Sequence, residues 1–175
     1  MNMETAIQGN SRAGGQDTHA SLAKGILWGL LGGLAGTLLM DLLLMGILVL
    51  AGLPALTCFA IVGDTVARFF SLLGSAMVGS EATGIITHYV IGPAIGGIFG
   101  AFIASVRALR TVTLKKCIWL SVLYVEILSQ PLLLMSVLLL EMKGPVIAAW
   151  YGGAFVMHFL LGIIVAEVVW RGLKH

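Results

Sequence analysis

The sequence predicts an all-α membrane protein: four transmembrane helices in a bundle, with an extra amphipathic helix on the outer face. Three observations predict it. Hydrophobic residues make up 59% of the 175 residues and charged residues only 10%, where a soluble domain carries about 25% charged residues. Four apolar stretches each reach the roughly 20 residues that a bilayer core demands of a helix. The basic residues gather at one end of those stretches. Mean hydropathy is +1.04, and the net charge of +2 matters less than its distribution.

Residues 1–22 are polar, glycine-containing and without apolar period, which predicts a disordered cytoplasmic tail. They do not read as a signal peptide, because the apolar run after Lys24 exceeds an h-region of about 7–15 residues. Residues 23–172 then form a single transmembrane domain with spans at 25–52, 83–106, 117–140 and 146–169. Arg12, Lys24, Arg107, Arg110, Lys115, Lys116, Arg171 and Lys174 fall on one side of these spans, and only Arg68 and Lys143 on the other. The positive-inside bias therefore places both termini in the cytoplasm of a cell with the chain in its inner membrane. Cys58 and Cys117 then lie on opposite faces, which excludes an intrachain disulfide, and no CxxC motif is present.

Segment 54–82 reads as more than a loop. Phe59, Val62, Val66, Phe69, Phe70 and Leu73 recur at helical spacing, with Asp64 and Arg68 paired four residues apart on the other side. An amphipathic helix over 56–74, lying in the outer interface, is expected. As a lid or as plain surface structure it would sit over whatever the bundle holds.

Membrane helices associate through close packing of small residues. Span one carries Gly25, Gly29 and Gly33, and also Gly32 and Gly36. Span two carries Gly84, Gly92, Gly96 and Gly100. Span four carries Ala154, Gly162 and Ala166. Gly29, Gly33, Gly92, Gly96 and Gly162 are thus the expected packing positions. His88 and His158 sit inside two of these stripes and should face neighbouring helices. The strings His88-Tyr-Val-Ile-Gly92 and His158-Phe-Leu-Leu-Gly162 match in pattern, suggesting two similar helix hairpins.

Each span carries one ionisable residue at membrane depth: Asp41, His88, Glu126 and His158. Charge there is costly and marks a site, a proton path or a buried partner. Counting about 1.5 Å per residue from the inner basic residues puts Asp41 about 25 Å up, His88 about 28 Å, His158 about 20 Å and Glu126 about 15 Å. The set splits into an outer pair, Asp41 with His88, and a central pair, Glu126 with His158. Ser129 and Gln130 share a face with Glu126, and Pro131 loosens the backbone beyond. Gly33, Thr37 and Asp41 stack along one side of span one.

Three roles compete for this set: hydrogen-bonded glue between helices, a proton- or cation-handling site, and a haem pocket. Histidine titrates near neutrality and relays protons, and binds transition metals. His88 and His158 are the candidate metal or haem b ligands, although the sequence requires no cofactor and lacks CxxCH. P-loop, GxSxG, HExxH and paired-Cys zinc motifs are absent, so no enzyme activity is expected of this chain alone. Nor is a nucleic-acid partner.

Spans two to four resemble the YagU-like family of small bacterial inner-membrane proteins. The resemblance rests on Thr87-His88 leading into a Gly-rich helix, on Gln130-Pro131, and on Met157-His158 running to Glu167 and Arg171. The tail and segment 54–82 have no counterpart in it. It implies a four-span inner-membrane fold and draws attention to the two histidines. It implies nothing about a substrate. The expected function is a non-enzymatic membrane component holding a buried proton- or cation-handling site (Asp41, His88, Glu126, His158 and Gln130). It would work in the lipid bilayer as a homo-oligomer or beside other membrane subunits. The alternative is an accessory or anchoring subunit of a respiratory-type complex, structural or holding haem b.

Overall fold

The computed structural model describes residues 21–109 and 111–174. The expected disordered tail lies outside the described residues except for Ser21 and Leu22, which are helical. Arg12 and Arg110, used above for orientation, also lie outside them. Five helices follow one another: α1 (described part Ser21–Leu50), α2 (Thr57–Leu72), α3 (Glu81–Ser105), α4 (Leu114–Leu139) and α5 (Gly144–Lys174). A 3-10 turn at Arg107–Leu109 precedes α4. The described residues contain no strand.

Helices α1, α3, α4 and α5 are each long and apolar enough to cross a membrane, with described lengths of 30, 25, 26 and 31 residues. Their outward faces are apolar too. Leu27, Leu31, Leu34, Leu38 and Leu42 line one exposed strip of α1, and Trp119, Leu123, Ile127, Leu134 and Leu138 line another on α4. Water does not tolerate such continuous apolar surface, whereas lipid does. The chain reads as an integral membrane protein.

The helix ends follow local chemistry more than hydropathy. Ser80 Oγ accepts from the Thr83 N–H at 3.1 Å, and Thr113 Oγ1 from the Lys116 N–H at 3.5 Å. These caps start α3 and α4 two or three residues before the apolar stretches begin. Helix α1 stops short of residue 52 because Gly52 takes φ +75°. Its Schellman closure uses the Leu53 N–H on the Leu48 carbonyl and the Gly52 N–H on the Val49 carbonyl. Gly74, at φ +84°, closes α2 the same way. Helix α5 runs on to Lys174, so Arg171 and Lys174 fall in its last turn, where cations oppose the helix dipole. Glu167 pairs there with Arg171.

Glycine sets the architecture. Along α1, Gly25, Gly29 and Gly33 meet Gly100, Gly96 and Gly92 of α3 backbone to backbone. A methyl group on Gly33 would overlap the Gly92 carbonyl oxygen, and one on Gly96 would overlap the Gly29 carbonyl. One turn further, Thr37 packs against Gly92. On a second face of α1, Gly32 meets Val165 and Gly36 meets Leu161 of α5. Gly162 of α5 rests on Val122 of α4. The order across the bundle is therefore α3, α1, α5, α4.

Helix α2 divides the apolar face read from the sequence. It packs against α3 and α4 through Phe59, Val62, Gly63 and Ala67, while Phe69, Phe70 and Leu73 stay exposed. The reason is steric. A side chain on Gly63 would strike the Ser80 carbonyl, and one on Gly84 the Phe59 carbonyl, so the glycine-bearing faces come together and the bulky face turns out. Thr65 donates to Ser136 Oγ of α4 at 3.0 Å. No ion pair joins Asp64 to Arg68 among the described residues. Arg68 instead donates to the Leu139 carbonyl at the end of α4, at 3.0 Å, and so serves as a C-terminal cap.

The solid core occupies the half of the bundle away from α2. Phe99, Cys117, Val125, Leu161 and Val165 anchor it. The α2 half is hollow.

Candidate functional site

Because α3 and α4 stand at opposite ends of the helix order, they enclose space between them. Lower in the bundle Tyr124 closes the gap. Its hydroxyl donates to the Ile95 carbonyl at 3.1 Å, and its ring lies 5.5 Å from that of Phe99. Above this floor a cavity of about 710 Å³ is lined by all five helices. The lining is overwhelmingly apolar (Met40, Val62, Ile95, Val125, Met157 and Leu161, for instance), and its only ionisable side chains besides the Cys58 thiol are His88 and His158. Its mouth is apolar as well, with Leu53, Leu128 and Val146 about half exposed.

Asp41 stands behind His88. The glycine contacts between α1 and α3 climb by four residues on each helix, so one rung beyond Thr37 and Gly92 comes Asp41 with His88. There His88 Nδ1 and Asp41 Oδ1 lie 3.0 Å apart. Asp41 is 3% exposed, and its second oxygen has no protein hydrogen-bond partner. Phe59 of α2 presses edge-on against the imidazole, with ring centroids 5.2 Å apart. A carboxylate on Nδ1 fixes the ring and leaves Nε2 as the atom available to the cavity. Thr37, 1% exposed, lies one turn below with its hydroxyl unpartnered.

His158 shares the cavity, and its buried Nδ1 has no hydrogen-bond partner. The two imidazoles are nearly level, which corrects the depths read from the sequence. Gly36 faces Leu161, so one further turn brings Met40 opposite Met157. His158 thus sits beside residues 39–40 of α1, about 3 Å along the axis from Asp41. The sequence-derived difference of about 8 Å arose because Arg107 and Arg171 do not share one level: Gly100 of α3 already faces Gly25, whereas Gly172 of α5 faces Trp28, so Arg107, seven residues beyond Gly100, lies lower than Arg171.

Glu126 and Gln130 are not at this site. Gly162 against Val122 sets Glu126 level with His158, but no hydrogen bond or ion pair joins them among the described residues. Helix α4 turns Val125 and Ser129 towards the cavity. Glu126 stays beside that face with Oε1 buried and unpartnered. Exposed Gln130 folds back, its Nε2 donating to the Glu126 carbonyl at 3.1 Å. The central carboxylate–histidine hydrogen bond expected from the sequence is therefore not made among the described residues, although the Val122–Gly162 contact one rung away sets the two side chains at one level.

Trp150 and Gly153 are lining residues the sequence analysis does not single out. With Ala154, Met157 and His158 they line the cavity, and their spacing is a helical stripe that extends the pattern around His158. Trp150 Nε1 donates to the Leu133 carbonyl at 3.4 Å. Cys58 lines the cavity from α2; burial, and then the Asp41 carboxylate, push its thiol from 9.0 up to about 12. It is therefore a protonated thiol at neutral pH and no thiolate ligand. No group of three or more His, Cys, Asp or Glu that could hold a metal ion comes together among the described residues. Haem is poorly matched, because its two carboxylates would find neither Lys nor Arg in the lining. Compared with protein-family models, curated proteins and solved structures, the chain matches none.

Proposed function

We propose that this protein is a non-enzymatic membrane component that handles a proton within the bilayer, at the layer formed by Asp41, His88 and His158. The observation that carries the reading is the Asp41–His88 contact of 3.0 Å, with 3% exposed Asp41 behind and the imidazole facing a cavity it shares with His158. One proton lies between Asp41 and His88, on either partner. Moving it converts Nε2 between acceptor and donor, and His158 offers a second imidazole at the same level. A proton suits this layer better than a metal cation does, since only two nitrogen ligands face the cavity and Asp41 is engaged behind one of them.

With ¹⁵N-histidine protein in lipid nanodiscs, the His88 Nδ1 signal should report a hydrogen bond to Asp41 and shift on Asp41→Leu. A His88 signal indifferent to that substitution would sink the proposal.

In this reading both termini are cytoplasmic, and the α2 end faces outwards in the cell membrane. In a background lacking Cys58 and Cys117, a membrane-impermeant maleimide added to intact cells should label Ser75→Cys and spare Lys174→Cys; the reverse pattern inverts the orientation. The component is expected to work as a homo-oligomer or beside other membrane subunits, and a monodisperse monomer in the nanodisc preparation would count against assembly with itself.

A further inference from the structure

The cavity is far larger than a proton requires. Its volume of about 710 Å³ falls in the range of roughly 300–1,000 Å³ typical of sites for whole small molecules. Its walls specify the chemistry of an occupant. No Lys, Arg, Asp or Glu lines it, so a carboxylate or phosphate would enter without a counter-ion, against the Asp41 charge behind His88. A cation would lose its hydration for two imidazoles. A neutral and mainly apolar molecule matches both the walls and the apolar mouth at Leu53, Leu128 and Val146, which admits it from lipid.

The polar atoms narrow the class further. They belong above all to the imidazoles of His88 and His158, the two ionisable rings in an otherwise apolar wall. Two rings on one apolar cavity mark where a ligand's oxygens would go. An imidazole backed by a shared proton can donate or accept. The matching head group also exchanges those roles, as a ring carbonyl does with its hydroxyl form.

We infer that the cavity between α3 and α4 binds a neutral, lipid-soluble quinone-class molecule, its ring oxygens bonded to the imidazoles of His88 and His158 and its apolar part directed towards Leu53 and Val146. The inference rests on the proton-handling reading for its choice of head group, and concerns binding only.

Trp150 in the wall supplies the readout, since quinones quench indole fluorescence. Nanodisc-embedded protein is titrated with a decyl-substituted 1,4-benzoquinone. Quenching should saturate, and Trp150→Phe should remove most of it while a probe-induced rise in Tm persists. Gly153→Leu should weaken binding more than tenfold, because a side chain on Gly153 meets only open space within 4 Å and therefore fills the cavity without disturbing a neighbour. His158→Asn, folded by its melting curve, should weaken it about tenfold, the equivalent of one hydrogen bond. Decanoic acid should not compete. Non-saturating quenching, wild-type affinity in Gly153→Leu or His158→Asn, or equal competition by decanoic acid would each overturn the inference. The histidine spectra are recorded without the quinone. Failed quinone binding beside an intact Asp41-dependent His88 signal therefore removes the ligand and leaves the proton centre standing.

Discussion

Leucine at Gly33 should abolish the native bundle. The atoms that a side chain there would strike are the Gly92 carbonyl and the Pro93 Cα. Both are backbone, so neither can rotate away. Helix α1 would have to move off α3, opening the contacts at Gly25 and Gly29 and drawing Asp41 from His88, because all lie on one straight seam. Overpacking a yielding core costs about 1–3 kcal/mol; a backbone-to-backbone seam has no yielding side, and a loss beyond about 4 kcal/mol is expected. Gly46→Ala is the matched control. Nothing lies within 4 Å of a side chain at that position, and alanine favours the helix by about 1 kcal/mol. Thermal melts in mild detergent followed by circular dichroism should show Gly33→Leu unfolded or greatly lowered in Tm, and Gly46→Ala level with or above the parent. A Gly33→Leu protein that melts like the parent would mean that α1 and α3 do not meet at this face.

The second large effect is expected at His88. Alanine there leaves Asp41, 3% exposed, without its hydrogen-bond partner, and removing one partner of a buried pair costs about 3 kcal/mol or more. Replacing both residues by leucine should recover much of that loss, since no orphaned carboxylate remains. The check is a double-mutant cycle on unfolding in denaturing detergent. A coupling of about 1.5 kcal/mol or more between positions 41 and 88 is expected; strict additivity would show that the two do not act as a pair.

Much of this architecture is legible in the order of residues. The four spans follow from apolar length, and the seam between α1 and α3 follows from glycines four apart on two helices. His88 falls inside one of those stripes and therefore had to face α1. The same spacing carries Asp41 to it, because a shared four-residue step on both helices keeps successive rungs in register. The histidine stripe on α5 was equally legible and extends to Trp150, a step the sequence reading stopped short of.

Other features are not written locally. The position of α2 depends on where its residues find glycine: Gly63 and Gly84 seat Phe59 and Val62 inwards, while Phe69, Phe70 and Leu73 stay exposed. Glu126 was assigned to His158 because both lie at membrane depth. Helix α4 presents Val125 and Ser129 to the cavity instead, and no hydrogen bond joins Glu126 to His158 among the described residues. The levels of the two histidines depend on the heights at which α3 and α5 each seat against α1.

Composition, apolar length and glycine spacing thus specify by themselves a membrane-spanning helical chain with a tight α1–α3 contact and a polar rung at its end. Those properties belong to single helices or to one repeating contact, so the order of residues carries them. The cavity, the levelling of His88 with His158 and the removal of Glu126 from the site arise only when five helices settle against one another. Each depends on the relative rotation and height of helices distant in the chain, set by backbone contacts that no periodicity within one helix encodes.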